Sequence, residues 1–318
     1  MVIGRGTGAW LRRFGAPMRL AALAFLLCLI PFIGTAYAQE GAQRATGTFR
    51  IGMLADPGTG SSLPRLPSLK RAYALALGLP VEFFVAADYR TLIEAQVDKR
   101  IDYAIYSASA YAAAALACDC VEPLVAPTSG SGALGIRSIL IARQGGPTGV
   151  ADLAKYRVAI GAPEDIAAFQ LPLSSLRNQG VSLTGREPFL VSVPVARDAE
   201  DMLRRGEVDA IFGWIETGID TSPIGGVGTL QRLKSGDEPA DSASIVWTSE
   251  LLRFGPHAIR KDLAPENRRR LVPFLTALRE SDPDLFDVLA RYHTGSFVSV
   301  TEADYSSALD MVRASVDQ

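Results

Sequence analysis

Residues 81–106 read VEFFVAADYRTLIEAQVDKRIDYAIY, and this stretch is the clearest indication of the fold in the sequence. Two runs within it, 81–85 and 101–106, have the length and the apolar, aromatic composition of buried strands. Between them, residues 89–99 carry apolar side chains at helical spacing. Because parallel strands need a crossover that is usually a helix, the stretch predicts a right-handed βαβ unit.

The same alternation of strands and helices continues on both sides of this unit. It predicts an α/β fold in which mostly parallel sheets are covered by flanking helices. The segment 218–244 is rich in Gly, Pro and Ser and is predicted to be irregular and at the surface. Further strands are predicted at 48–54, 137–142, 156–160, 189–193, 208–213 and 244–247, and further helices at 66–77, 108–117, 166–178, 199–205, 266–279, 284–292 and 302–314.

Two such blocks suggest two lobes. We expect lobe 1 to consist of 48–141 plus 250–318, and lobe 2 of 142–249. The chain would cross between them twice in extended segments, near 139–144 and 246–254. Paired crossings form a hinge about which lobes can close, and the cleft between lobes is a preferred place for a small-molecule site.

The first 38 residues have the features of a secretory signal peptide. Their n-region contains Arg5, Arg12, Arg13 and Arg19 and no acid, and an apolar stretch follows at 20–30. Ala36-Tyr37-Ala38 supplies small residues at the two positions that a signal peptidase reads. We therefore expect cleavage after Ala38, a periplasmic location and a disordered start of the mature chain at 39–47. The alternative is a membrane anchor, but the apolar stretch is shorter than the roughly 20 residues that a spanning helix needs.

Composition excludes some classes of protein. The 318 residues are 48% hydrophobic and carry a formal net charge of −2, and no basic stripe is interleaved with aromatic residues. This distribution argues against nucleic acid as a partner. Removing the four arginines of the signal takes the formal charge from −2 to −6, so the mature protein is expected to be mildly acidic. We also expect it to be a monomer.

No motif indicates catalysis, a cofactor or a metal. The glycine-rich stretches 58–62 and 225–228 lack the residues of a phosphate-binding loop or a dinucleotide fingerprint. With only two histidines, no Ser-His-Asp arrangement can be assembled with confidence. Cys118 and Cys120 are more simply a buried or locally bridged pair than metal ligands, because a metal site would need further ligands.

Several short motifs, taken in order, carry a resemblance to a known family. They cover nearly the whole chain after the signal and are Asp88-Tyr89, IDYA at 101–104, SASAYAAA at 107–114, VADLA at 150–154, GEVDA at 206–210, FGPHAIRKDL at 254–263 and TEADY at 301–305. This ordered set resembles the PhnD-like substrate-binding proteins of phosphonate, phosphite and phosphate ABC transporters. The resemblance implies a two-lobed type II periplasmic-binding-protein fold that captures a solute and delivers it to an inner-membrane permease.

The chain departs from that family at one turn. Where phosphonate binders have a Ser/Thr-rich turn that holds the phosphonate oxygens, this chain has Pro163, Glu164 and Asp165. The two carboxylates are expected to satisfy the positive end of the following helix and to repel a dianion. We therefore expect that the ligand is not a simple phosphonate.

The candidate ligand-binding residues fall into two groups. By resemblance, Tyr89 and Tyr111 match ligand tyrosines of the family; packing is the alternative for both. By position at predicted strand ends, helix starts and the hinge, the other candidates are Ser107, Ser109, Arg137, Asp165, Trp214 and Glu216. For the two serines helix capping is the simpler explanation, for Arg137 an ion pair, and for Trp214 and Glu216 a surface loop.

These observations favour a solute-binding protein rather than an enzyme. Two alternatives stay open at this point. A sensory or accessory module that binds a ligand and docks on a membrane partner would have the same sequence features. An enzyme on the same fold is the other alternative, since a fold alone does not exclude catalysis.

Overall fold

The computed structural model describes residues 47–55, 65–220, 222–235 and 243–316. The predicted signal peptide, residues 39–46 of the start that we predict to be disordered, and the glycine-rich stretch 58–62 lie outside the described residues. None of the described helices is long and apolar enough to cross a membrane.

Strands and helices alternate along the first half of the chain, as the 81–106 pattern predicts. Numbered along the chain, the strands are β1 (Phe49–Leu54), β2 (Val81–Ala86), β3 (Tyr103–Ile105), β4 (Val121–Pro127), β5 (Gly135–Ala142), β6 (Val158–Ile160), β7 (Leu190–Ser192), β8 (Ala210–Thr217), β9 (Pro223–Gly228), β10 (Ser244–Thr248), β11 (Leu252–Arg253), β12 (His257–Arg260) and β13 (Phe297–Ser299). The α-helices are α1 (Leu66–Leu77), α2 (Tyr89–Val97), α3 (Ala108–Cys118), α4 (Leu171–Asn178), α5 (Ala196–Arg204), α6 (Thr229–Lys234), α7 (Pro265–Ser281), α8 (Pro283–Ala290) and α9 (Ser306–Val316). Short 3₁₀ helices lie at Val150–Lys155 and Glu302–Tyr305.

The first sheet has the order β13-β4-β12-β3-β1-β2. β1 pairs in parallel with both β2 and β3, which confirms the predicted βαβ unit. Side chains alternate between the two faces: Tyr103 and Ile105 pack in one core cluster, and Ala104 and Tyr106 in the other. Helices therefore cover both faces of this sheet.

The second sheet has the order β10-β5-β8-β6-β7, with β11 beside β5 and β9 beside β8. β6 is parallel to β7 and β8, whereas β5 is antiparallel to β8, β10 and β11. The α/β class with two sheets is thus confirmed, but antiparallel strands make each sheet mixed rather than mostly parallel. The prediction missed β4, β12 and β13, which supply the antiparallel part of the first sheet.

The chain passes between the two sheets at two points. It leaves β4 and enters β5 through residues 128–134, and it returns from β11 to β12 through residues 254–256. β5 belongs to the second sheet because all eight of its residues pair with β8. The boundary between sheets therefore lies earlier than the residue 142 expected from sequence.

The predicted irregular segment 218–244 was wrong for its described part, since it contains β9 and α6. Gly228 explains why a glycine-rich strand fits there. Its φ is 122°, and a Cβ at this position would lie 2.5 Å from the carbonyl oxygen of Trp214. Glycine allows β9 to approach β8 this closely, and composition alone reads the same residues as a loop.

The predicted helix 166–178 is divided in two by Pro172. Residues Ile166–Gln170 form one π-helical turn, and α4 follows directly. Proline has no N–H to donate to the carbonyl of Ala168, which instead accepts from the N–H of Gly161 at 3.1 Å. This bond ties the start of the helical segment to the end of β6.

Cys118 and Cys120 form a disulfide at the end of α3, with their Cα atoms 5.0 Å apart. Of the two predicted states of the pair, the structure has the locally bridged one.

Candidate functional site

A cavity of about 380 Å³ lies where the ends of strands from the first sheet face the second sheet. Ile105 and Pro127 end β3 and β4, while Ile136 comes from β5 and Ile166 from the π-helical turn. Both sheets therefore contribute walls, as expected for a site in a cleft. The described lining is completed by Tyr89, Tyr106, Ser107, Ala108, Leu252, Arg253, Phe254, Gly255, His257, Leu289, Ala290, Arg291, Tyr292 and His293.

Two of the predicted residues, Tyr89 and Ser107, lie at this cavity. Tyr89 begins α2 after the N-cap Asp88, whose carboxylate accepts from the Thr91 N–H at 2.8 Å. That backbone hydrogen bond lowers the pKa of Asp88. The ring centroid of Tyr89 is 6.5 Å from that of Tyr106. Together these residues place an aromatic wall at the start of α2.

Ser107 is the N-cap of α3, because its hydroxyl accepts from the Ala110 N–H at 3.2 Å. The expected capping role is therefore present, and the same residue lines the cavity. A hydroxyl oxygen that accepts one bond still has a hydrogen to donate to a ligand. Its part in ligand binding stays a prediction.

Asp165 caps the helical segment on the side of the second sheet. Its carboxylate accepts from the N–H groups of Ala167 and Ala168, both at 2.8 Å. The neighbouring Ile166 lines the cavity, and Glu164 is exposed. The predicted satisfaction of this helix end by a carboxylate is thus present, and Asp165 supplies it.

The remaining candidates lie outside the described lining. Tyr111 is only 1% exposed and packs against Tyr305, with ring centroids 4.9 Å apart. Ser109 is half-buried on the same helix. Tyr111 therefore takes the packing role that we considered as its alternative.

Two of the second-sheet candidates, Arg137 and Trp214, contact residues that lie outside the strands of that sheet. The guanidinium of Arg137 donates to the carbonyls of Ser249 at 2.8 Å and Ile219 at 3.1 Å. Trp214 lies beneath the guanidinium of Arg232, 5.7 Å from its ring centroid. Glu216 is directly opposite the cavity residue Ile136 in the β5–β8 pairing, and Arg137 is the next residue along β5.

Sequence reasoning missed the basic and histidine residues of the cavity. Arg253 is 8% exposed, and its Nε has no hydrogen-bond partner among the described residues. Arg291 follows α8 and donates to the Leu54 carbonyl at 2.9 Å. Four successive lining residues, 252–255, run from β11 into the passage at 254–256, and an Arg beside a Phe-Gly-Pro turn was the available signal.

Both histidines at the cavity are neutral near pH 7. Burial lowers the pKa of His257 to about 3 and that of His293 below its usual range. The Nε2–H of His257 faces the Leu289 carbonyl at 3.3 Å, so its Nδ1 accepts from the Tyr103 hydroxyl at 2.5 Å. His293 lies against Phe254, with ring centroids 4.1 Å apart. Neither histidine has the surroundings of a metal ligand, and the described residues contain no cluster of three or more His, Cys, Asp or Glu that could hold a metal.

Comparison with known proteins places this architecture in a family. The family model described as "ABC transporter, phosphonate, periplasmic substrate-binding protein" matches residues 69–305. The phosphate-import protein PhnD of Mycolicibacterium smegmatis is 26% identical over 198 residues, which are 59% of this chain and 59% of that protein. The chain thus spans less than two thirds of the length of this curated relative.

Solved structures agree on the fold. XAC2383 from Xanthomonas citri, in its ATP-bound structure, has a TM-score of 0.55 and 15% identity, covering 86% of this chain and 99% of that one. Its chloride-bound structure has a TM-score of 0.54 and 14% identity, covering 85% and 99%. At such identities the likeness shows the fold alone. Because the family model matches more than half of its residues, the chain belongs to the family of periplasmic substrate-binding proteins of phosphonate ABC transporters.

Proposed function

We propose that this protein is exported to the periplasm, captures one small molecule in the cavity between its two sheets and presents it to an ABC permease. The observation that carries this proposal is the lining of the cavity, to which both sheets and the passage at residues 254–256 contribute. A ligand held there touches the two halves of the molecule at once. Its binding free energy can therefore favour a closed arrangement, which a permease would recognise.

The passage at residues 254–256 supports a hinge role. Phe254 and Gly255 line the cavity while they carry the chain from one sheet to the other. A Cβ on Gly255 would lie 2.0 Å from the carbonyl oxygen of Tyr106, so only glycine fits against the end of β3. Ligand contacts and hinge geometry thus share the same residues, as coupling between binding and closure requires.

The ligand is, on this proposal, not a simple phosphonate. Asp165 occupies two N–H groups that a phosphonate oxygen would otherwise reach, and its charge opposes a dianion at close range. Calorimetry with methylphosphonate, phosphite and phosphate tests this. We expect no binding tighter than about 10 μM; a lower Kd for any of the three would overturn the proposal.

Capture itself is tested by a thermal-shift screen of small molecules against the mature protein. A ligand at about 100 times its Kd adds about 2.7 kcal/mol to the free energy of unfolding. The matched variant is Ile136→Trp, which fills the cavity from β5. We expect at least one compound to stabilise the wild type and to lose its effect in this variant. Stabilisation that is equal in both proteins would contradict binding at this cavity.

Export, monomeric state and the absence of turnover complete the proposal. N-terminal sequencing of the exported protein should begin at Gln39, and a start elsewhere would reject cleavage after Ala38. Incubation of the protein with an identified ligand should return the ligand unchanged, because we propose capture without catalysis.

A further inference from the structure

Two arginines line the cavity, and its described lining contains no Asp or Glu. The rest of that lining is apolar, aromatic or neutral at pH 7, and the one hydroxyl on a small side chain belongs to Ser107. An excess of positive charge in a largely apolar enclosure is unfavourable unless a counter-charge enters it. The cavity itself therefore indicates the charge of its ligand.

Arg253 is the strongest indication. The residue is more than nine-tenths buried, and its Nε finds no hydrogen-bond acceptor in the described part of the chain. Its ionic neighbour is Asp304, but Oδ1 of that residue is 4.0 Å from Nε, beyond hydrogen-bonding range. The other oxygen of Asp304 accepts from the N–H and the hydroxyl of Thr301 at 2.8 and 2.9 Å. Asp304 is therefore an ion-pair partner of Arg253 that accepts no hydrogen bond from its Nε.

Arg291 is a second, independent indication. Its backbone has φ 53° and ψ −110°, a conformation that L-residues rarely adopt. Outliers of this kind persist where surrounding contacts hold them, and they cluster at binding sites. Here the contact is the hydrogen bond to the Leu54 carbonyl, which holds the guanidinium at the end of β1. A glycine at position 291 would adopt this positive φ without steric cost, but the chain has an arginine there.

The other side chains of the cavity lining indicate the polarity of the rest of the ligand. Tyr89, Tyr106 and Phe254 offer aromatic surface, while Ile105, Ile136, Ile166, Leu252 and Leu289 offer aliphatic surface. Such walls suit an uncharged, apolar body. They give few donors for the three oxygens of a dianion, and Asp165 already occupies the helix end that could supply more.

We infer that the ligand is an organic acid with a single, singly charged oxyanion group, a carboxylate or a sulfonate, that pairs with Arg253 while its apolar body lies between Tyr89, Tyr106 and Phe254. This inference rests on the proposed function and narrows its ligand class. Arg291, which also lines the cavity, adds positive charge. The planar fork of a guanidinium matches such a group in two parallel hydrogen bonds.

Four probes that share one ring test the inference: benzoate, benzenesulfonate, benzyl alcohol and benzylamine. They differ in charge and in the shape of the charged group, and titration calorimetry up to about 10 mM reaches the affinities expected of such small compounds. We expect benzoate or benzenesulfonate to bind at least tenfold more tightly than benzyl alcohol, with benzylamine weakest. The better of the two acids identifies the oxyanion. The inference is overturned if neither acid binds, or if the alcohol or the amine binds as tightly.

Substitutions of Arg253 test whether this residue is the one that pairs with the anionic group of the probe. Arg253→Gln should weaken the acid at least tenfold and change the affinity for benzyl alcohol less than twofold. Arg253→Lys keeps the charge but loses the fork, so an intermediate loss is expected, and this variant decides the matter if the glutamine variant does not fold. The matched control is Arg204→Gln, which removes one charge from a half-buried arginine on α5, outside the described lining. Equal loss in Arg204→Gln and Arg253→Gln would reject a specific site.

The thermal-shift screen separates this inference from the proposed function. If a neutral or cationic compound stabilises the wild type and fails in Ile136→Trp, capture in the cavity stands and the anion class is overturned. If compounds of every charge fail to stabilise the protein, both are overturned.

Discussion

Asp165 occupies backbone N–H groups at the start of the helical segment 166–178 that could otherwise bind an anion. Its carboxylate accepts hydrogen bonds from two backbone N–H groups, those of Ala167 and Ala168, directly after the cavity residue Ile166. A capping carboxylate is an internal anion, so an external one has to displace it or bind elsewhere. On our proposal, this single residue is the reason why the ligand is not a simple phosphonate.

We predict that Asp165→Ala lowers the free energy of unfolding by about 1 kcal/mol, the usual value of an N-cap. Asp165→Asn should cost less, because an amide oxygen still accepts from Ala167 and Ala168. Urea unfolding of the three proteins measures this. Equal losses in both variants would show that charge rather than the hydrogen bonds stabilises the turn.

His257 is expected to make the free energy of unfolding depend on pH. Its pKa in the folded state is about 3, because burial disfavours the charged form, and an unfolded histidine has a pKa of about 6.5. A depressed folded pKa means that the stabilisation is present above pH 6.5 and is lost as pH falls toward 3. Within that window the loss is about 1.4 kcal/mol per pH unit.

The matched variant is His257→Gln, which does not titrate but can still accept from Tyr103 and donate to the Leu289 carbonyl. We predict that the stability difference between wild type and this variant shrinks or reverses as pH falls below 6.5. Thermal unfolding across pH 4 to 8 measures it. Parallel pH profiles would contradict the assignment of the effect to His257.

Single residues at the cavity were the hardest to predict, for a physical reason. Arg253 lies in β11 of the second sheet, whereas the guanidinium of Arg291 is held at the end of β1 in the first. Both line the cavity although they are far apart along the chain, and no local pattern encodes that meeting. Tyr111 lies in an alanine-rich helix that is apolar on most sides, so periodicity could not say which face it occupies. Ser107 was predictable because capping depends only on its own neighbours.

Elements were predicted well where local chemistry specifies them. Helix α1 has the predicted bounds because Gly78, at φ 68°, ends it in the left-handed conformation. The parallel unit β1–β3 was predicted from alternating apolar runs. Strand β9 was missed because its glycines carry no periodic signal, and its pairing with β8 becomes visible only in three dimensions.

The close approach of β9 to β8 predicts that a side chain at position 228 destabilises the protein. Gly228→Ala should lower the free energy of unfolding by at least about 2 kcal/mol, since the new Cβ clashes with backbone at a positive φ. Gly149→Ala is the control: its φ of 177° is ordinary extended backbone, and no atom lies within 4 Å of the added Cβ. We expect this control to change stability by less than about 0.5 kcal/mol. Urea unfolding compares the two, and a similar effect in both would contradict the packing account.

At the scale of the whole molecule, the two sheets meet at a second place besides the chain passages. Helix α9, which covers the first sheet, packs against α4 of the second. Asn178 donates to the carboxylate of Asp310 across this contact at 3.0 Å. Opening of the cleft by relative motion of the halves would break it.

Asn178→Asp is therefore expected to favour an opened form, because two carboxylates would then face each other. Small-angle X-ray scattering should give a larger radius of gyration for the variant than for the wild type at low salt. The difference should shrink as salt screens the repulsion. An unchanged radius at every salt concentration would indicate that this contact does not hold the halves together.

Native mass spectrometry of protein purified without refolding shows whether the cavity between the two sheets holds a captured small molecule. We predict a wild-type mass in excess of the chain, with a single small compound released on activation, and a bare chain for Ile136→Trp. A compound retained equally by both proteins, or a bare wild type that also fails to bind any compound of the thermal-shift screen, would contradict it.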